Sequence, residues 1–122
     1  MAKQVRTKLL YTVSTAAIAF TFSANAFAVD AEAAITLARQ NGCLKCHNYE
    51  KAKQAAKPKD GKPWYEAAEK LRGKSDAEAT LIHHITSGEK AKFPDGHEEE
   101  HKIIKTKDMA QIKNLVDWIL SL

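Results

Sequence analysis

Between residues 30 and 122 the apolar positions fall into four groups, each spaced for a helix with one buried side. The first holds Ala34, Ile35, Leu37 and Ala38, with Asp30 placed as an N-cap and Gly42 as a left-handed C-terminal stop. Pro63 opens a short second helix with Tyr65, Ala68 and Leu71 inward, stopped by Gly73. Ser75 and Glu78 form an S-x-x-E capping box for a third. Its apolar side is Leu81, Ile82 and Ile85, and Gly88 ends it. Asp108 or Thr106 caps the last helix, where Ile112, Leu115, Val116 and Ile119 recur at i, i+3, i+4 and i+7.

The intervening stretches have no such period. From Lys45 to Lys62 the chain carries six lysines against two acids, with Pro58 and Gly61, and reads as a solvated loop. Residues 89–106, with Pro94, Gly96 and the run Glu98-Glu99-Glu100, read as a second loop. At about 18 residues it is long enough to serve a function. Neither an alternating strand pattern nor an internal repeat is visible, so the expected fold is all-α.

Before residue 29 the pattern changes. Lys3, Arg6 and Lys8 precede an uncharged apolar run from Leu9 to Phe22, which closes on Ala26-Phe27-Ala28. This is the layout of a secretory signal with a small-x-small cleavage site, and the run is too short to cross a ~30 Å hydrocarbon core as a helix. Residues 1–28 are therefore expected to be a cleaved leader, with cleavage after Ala26 the next choice, and 29–122 the working domain. The expected location is the periplasm, with no membrane anchor after cleavage.

Removing the leader changes what the charge means. The whole chain has 122 residues, 19 Lys+Arg against 15 Asp+Glu, and a formal charge of +4. That length excludes a multidomain enzyme, and two cysteines exclude a disulfide-dense scaffold. Taken alone, +4 suggests nucleic acid or an anionic membrane as partner. All three leader charges are positive, however, so residues 29–122 carry only +1 and the expectation is no nucleic-acid partner. A chain of that size is also marginal on its own core and needs a further stabilising element.

Cys43-Leu44-Lys45-Cys46-His47 supplies one. It is C-x-x-C-H, the attachment motif for haem c. Two thiols three apart on one helical turn reach the two vinyl groups on one porphyrin edge, and the adjacent imidazole becomes the proximal ligand of the iron. A thioredoxin-like dithiol needs a βαβ setting that the pattern lacks. Zinc would need two of the five histidines beside Cys43 and Cys46. A disulfide between two cysteines so close would be strained.

With this motif in place, residues 30–122 resemble the small bacterial class I cytochromes c. Leu37 to Gly42 leads into Cys43 as the family's first helix does, Gly61-Lys62-Pro63-Trp64-Tyr65 is similar to its G-x-P-x-Y segment, and Leu115 to Ser121 resembles its terminal L-x-x-W-x-L-S helix. The resemblance implies about four helices wrapped around one covalently bound haem. It also implies that the Pro63 carbonyl accepts from Nδ1–H of His47, and that Trp118 packs beside the haem edge.

The resemblance breaks at the sixth ligand. The family usually places an axial methionine 16 or 17 residues before the aromatic of the last helix; here those positions are Lys102 and His101. Met109, the one methionine after the leader, opens the last helix and suits packing better than ligation. The expected pair is therefore His47 and His101, with His97 and then Met109 as runners-up. Of His83 and His84, on the third helix, one is expected to face water and the other to pack.

A second imidazole lowers the potential relative to a thioether, and two strong ligands leave no site for substrate. The expectation is a non-enzymatic carrier of single electrons, monomeric or weakly oligomeric, whose partners are redox proteins with acidic docking surfaces. Lys45, Lys51, Lys53, Lys57, Lys59 and Lys62 would form the basic rim. Two haem propionates would bring the charge to about −1. The competing expectation is a haem protein in which a small gas displaces the sixth ligand.

Overall fold

A computed structural model describes residues 28–50 and 61–122. The leader residues 1–27 and four of the rim lysines, Lys51, Lys53, Lys57 and Lys59, lie outside the described residues.

Helix α1 (Ala31–Gln40) starts where Asp30 accepts a hydrogen bond from Ala33 N–H at 2.9 Å. It ends at Asn41, whose side-chain amide donates to the Leu37 carbonyl at 2.8 Å. Gly42 follows at φ 72° and turns the chain into a 3₁₀ turn, Cys43–Lys45. Helix α2 (Trp64–Leu71) and helix α3 (Ala77–Ser87) come next, and helix α4 (Met109–Leu120) closes the chain. Asp108 is its cap, accepting from Ala110 N–H at 2.9 Å, while the Thr106 hydroxyl accepts from Asp108 N–H.

Helix α4 is the centre of the packing, and α1, α2 and α3 all lie against it. Ile112, Leu115, Val116, Trp118 and Ile119 are its buried residues. On α1 the buried positions are Ala34 and Ala38, both completely covered. One turn apart and without bulk, they let the α1 backbone approach α4 closely. Asn114 fixes the crossing by accepting from Asp30 N–H at 2.9 Å and donating to the Asp30 carbonyl at 2.8 Å. No helix among the described residues is long and apolar enough to cross a membrane.

Three local expectations need correction. In α2 the buried residues are Trp64 and Ala68, whereas Tyr65 and Leu71 are only half-buried. The indole carries the largest apolar area in the helix and takes the inward position, shifting the buried stripe by one residue. The capping box does not form, because α3 begins one residue later with Asp76 as its cap and no side-chain bond there. The segment 89–106 is not all loop. β1 (Lys90–Lys92) pairs antiparallel with β2 (Glu98–Glu100), in the register Lys90↔Glu100, Ala91↔Glu99 and Lys92↔Glu98. These strands are short and mostly exposed, so no apolar alternation marks them. Backbone bonds hold them instead, from the turn at Phe93–Gly96 to the closing bond of His101 N–H to the Glu89 carbonyl.

Leu115 and Val116 are the largest fully buried side chains among the described residues. Leu115→Ala is expected to lower unfolding stability by about 2–5 kcal/mol, read by denaturant titration of the haem-loaded protein. Asn114→Ala breaks two more exposed bonds and is expected to cost about 1–2 kcal/mol.

Candidate functional site

Gly42 starts the 3₁₀ turn, and the N–H groups of Cys46 and His47 both bond to the Cys43 carbonyl, at 3.2 and 3.0 Å. Side chains three apart eclipse in such a turn, which brings Cys43 and Cys46 to one edge. Both are free thiols; Cys43 is half-buried and Cys46 exposed. Burial pushes the Cys43 thiol above its ordinary range, which keeps it protonated.

His47 is held on three sides. Its Nδ1 lies 2.7 Å from the Lys62 carbonyl, which can only accept, so Nδ1 carries the proton and Nε2 keeps its lone pair. The Trp64 indole stacks on the ring, with centroids 5.4 Å and planes 18° apart. At Gly61 a methyl group would stand 3.0 Å from Cε1 and 3.3 Å from the Cys46 carbonyl, so any side chain there would press the ring out of place. Burial lowers the His47 pKa, the Lys62 bond opposes this, and the charge of His84 adds to the lowering. The expectation that Pro63 supplies the carbonyl is corrected by one residue. The Pro63 oxygen is committed to the first turn of α2, accepting from Glu66 and Ala67 N–H at 3.1 and 3.3 Å.

His101 lies at the exit of the hairpin, where its backbone N–H bonds to the Glu89 carbonyl at 2.9 Å. Its ring centre is 6.1 Å from that of His47, with planes tilted by 45°. Its Nδ1 donates to the Lys102 carbonyl at 2.9 Å, again leaving Nε2 free. Burial, then the charges of His84 and His47, lower its pKa. The runner-up His97 has no free nitrogen, since Nδ1 bonds Asp95 and Nε2 lies 3.2 Å from Glu99, with the ring stacked on Phe93. Met109 does not pack as expected: at the first position of α4 it points away from the buried stripe and is 51% exposed. Trp118 is buried, edge-on to Trp64 and Tyr49 at 5.8 and 5.2 Å.

The donor set fits a covalently attached haem. Two free thiols share one turn, and two imidazoles with free Nε2 have ring centres 6.1 Å apart. Half-buried Leu44, Tyr49, Leu81, Ile82 and Ile85 offer apolar surface nearby. It does not fit zinc, because among the described residues no three His, Cys, Asp or Glu side chains gather as a metal site. The cysteines are not joined as a disulfide.

A C-x-x-C-H turn on a bundle of four helices defines a c-type cytochrome. No protein-family model and no curated protein matches the chain. Among solved structures it is similar to the class 1 cytochrome MtoD from Sideroxydans lithotrophicus ES-1, at 62% identity and a TM-score of 0.65, covering 77% of this chain and 97% of that one. It is also similar to cytochrome c552 of Nitrosomonas europaea, at 26% identity and a TM-score of 0.53, covering 71% and 96%. The chain belongs to the class I cytochromes c. It is a monohaem electron carrier with one covalently bound haem c.

Sequence reasoning missed Gly61, the Lys62 carbonyl, the stacked Trp64 and the pair His84–Glu89. His84 is the packed histidine of α3, its ring centre 4.1 Å from that of His101 and its Nδ1 2.6 Å from Glu89. The available signal was Gly88, whose left-handed turn reverses the chain and returns Glu89 to the helix end. His83 faces water, at 67% exposure.

His97 yields a pH prediction. The Asp95 carboxylate bonded to it, with Glu99 beyond, holds its pKa above the ordinary histidine value. Protonated His97 thus steadies the hairpin turn fully below about pH 6.5. That contribution is lost as pH rises through the raised pKa. Proton NMR of the ring should show this elevated titration, and Asp95→Asn should return it toward the ordinary value.

Proposed function

We propose that the chain is a periplasmic carrier whose haem is joined to Cys43 and Cys46 and whose iron is held by His47 and His101. The carrying observation is the 6.1 Å between the two ring centres. A metal–imidazole bond of about 2.0–2.1 Å, plus roughly 1.1 Å to each ring centre, puts two rings on opposite sides of one metal about 6.3 Å apart. Both rings keep Nε2 as the free nitrogen, the state a ligand needs.

The neighbouring residues divide the remaining tasks. The Lys62 carbonyl, Gly61 and Trp64 fix the proximal ring, and Trp118 packs beside the haem edge. Thioether attachment keeps the group in place, and ligation by two imidazoles favours ferric iron, which lowers the potential relative to a methionine-ligated relative. With both axial positions filled the chain performs no bond chemistry on a substrate. Lys45, Lys62 and Lys102, together with the lysines of 51–60, steer a transient encounter with an acidic redox partner.

Haem staining after denaturing electrophoresis should remain with the chain, and sequencing of that band should begin at Val29. The ferric spectrum should be low-spin without a methionine–iron charge-transfer band. Met109→Ala should leave spectrum and midpoint potential unchanged, whereas His101→Ala should shift the potential. A methionine–iron band, lost in Met109→Ala, would overturn bis-histidine ligation. Carbon monoxide should leave the reduced spectrum unaltered; ready binding would favour the gas-sensing reading.

A further inference from the structure

Three imidazoles near this site, not two, have Nδ1 bonded to an acceptor, although the three do not gather as one metal site. His47, His84 and His101 each place Nδ1 against an oxygen that can only accept: the Lys62 carbonyl at 2.7 Å, the Glu89 carboxylate at 2.6 Å and the Lys102 carbonyl at 2.9 Å. In each neutral ring the proton is therefore on Nδ1 and the lone pair on Nε2. A carboxylate or carbonyl on the far nitrogen is the usual partner of a metal-bound histidine, since it fixes the tautomer and ring orientation. One iron between axial ligands needs only two such rings.

The third ring is close enough to serve. The centres of His84 and His101 are 4.1 Å apart, a distance that a change of side-chain rotamer covers. The two also differ in how they are mounted. His101 stands at the exit of a three-rung hairpin, and its Nδ1 is held only by the carbonyl of the next residue. His84 stands on the last turns of α3, and its tether Glu89 is fixed by the reversal at Gly88.

We propose that His84 is a reserve ligand: when His101 leaves the distal position, the free Nε2 of His84 takes it, keeping the haem six-coordinate. The exchange breaks one iron–nitrogen bond and forms another, with no electron or proton transferred. The inference rests on the reading that His101 is the resident ligand.

The test compares His84→Ala, His101→Ala and the double variant as haem-loaded full chains. Visible absorption, low-temperature electron paramagnetic resonance and carbon monoxide addition are the readouts. The expected result has three parts. His84→Ala matches the wild type, His101→Ala stays low-spin with altered resonance positions, and the double variant becomes high-spin and binds carbon monoxide when reduced. If His101→Ala alone turns high-spin while His84→Ala is unchanged, the reserve role is wrong and His101 as resident ligand stands. If His101→Ala matches the wild type and His84→Ala does not, both assignments fall. A double variant that remains low-spin also removes both. Should His101→Ala fail to retain haem, His101→Gln, closer in size and polarity, is read the same way.

Discussion

The bond from His47 Nδ1 to the Lys62 carbonyl joins the two halves of the site. It ties the cysteine turn to the segment opening α2, across the lysine-rich stretch between them. Without it, the imidazole could rotate and present either nitrogen. With it, Nε2 is committed to one direction, Trp64 gains a flat surface to stack on, and Gly61 has a reason to lack a side chain. Trp64 then passes the constraint inward by meeting Trp118 edge-on, in the middle of the α4 packing. The proximal side is thus an extension of the helix core.

That core is thin. Its fully covered members on α1 are alanines, and among the described residues the large side chains with almost no exposure, Ile112, Leu115, Val116 and Ile119, all come from α4. Many of the larger apolar residues, among them Leu37, Leu44, Leu81, Ile82 and Ile85, remain half-buried against it. A domain of this size buries a small share of its surface from side chains alone. A covalently attached apolar macrocycle meets this deficit, so stability and function draw on the same group. The close approach of α1 and α4 serves both, because it seats the chain just upstream of the thiols.

The helices were legible because their ends carry explicit chemistry. Asp30, Asp108, Gly42 and Gly88 all act at the positions that a cap or a left-handed stop requires. C-x-x-C-H was legible because its spacing is itself a geometric statement. What escaped was decided by competition between neighbours. Pro63 lost its expected role because a helix N-cap uses its own carbonyl, and Tyr65 lost the inward position to a larger adjacent ring. The hairpin escaped because two short, mostly exposed strands joined by backbone bonds have no apolar period to detect. His84 escaped because its partner lies beyond a chain reversal, where helical spacing no longer predicts proximity.

The register of that hairpin reaches further than its size suggests. Every side chain in a strand changes face when pairing slips by one residue. Here Lys90, Ala91 and Lys92 stand opposite Glu100, Glu99 and Glu98. His101 is the next residue after β2, and its N–H is bonded to Glu89, just before β1. The three-rung backbone ladder, closed by the bond from His101 N–H to the Glu89 carbonyl, therefore sets where a single imidazole leaves the chain, so that a surface hairpin positions a ring of the site.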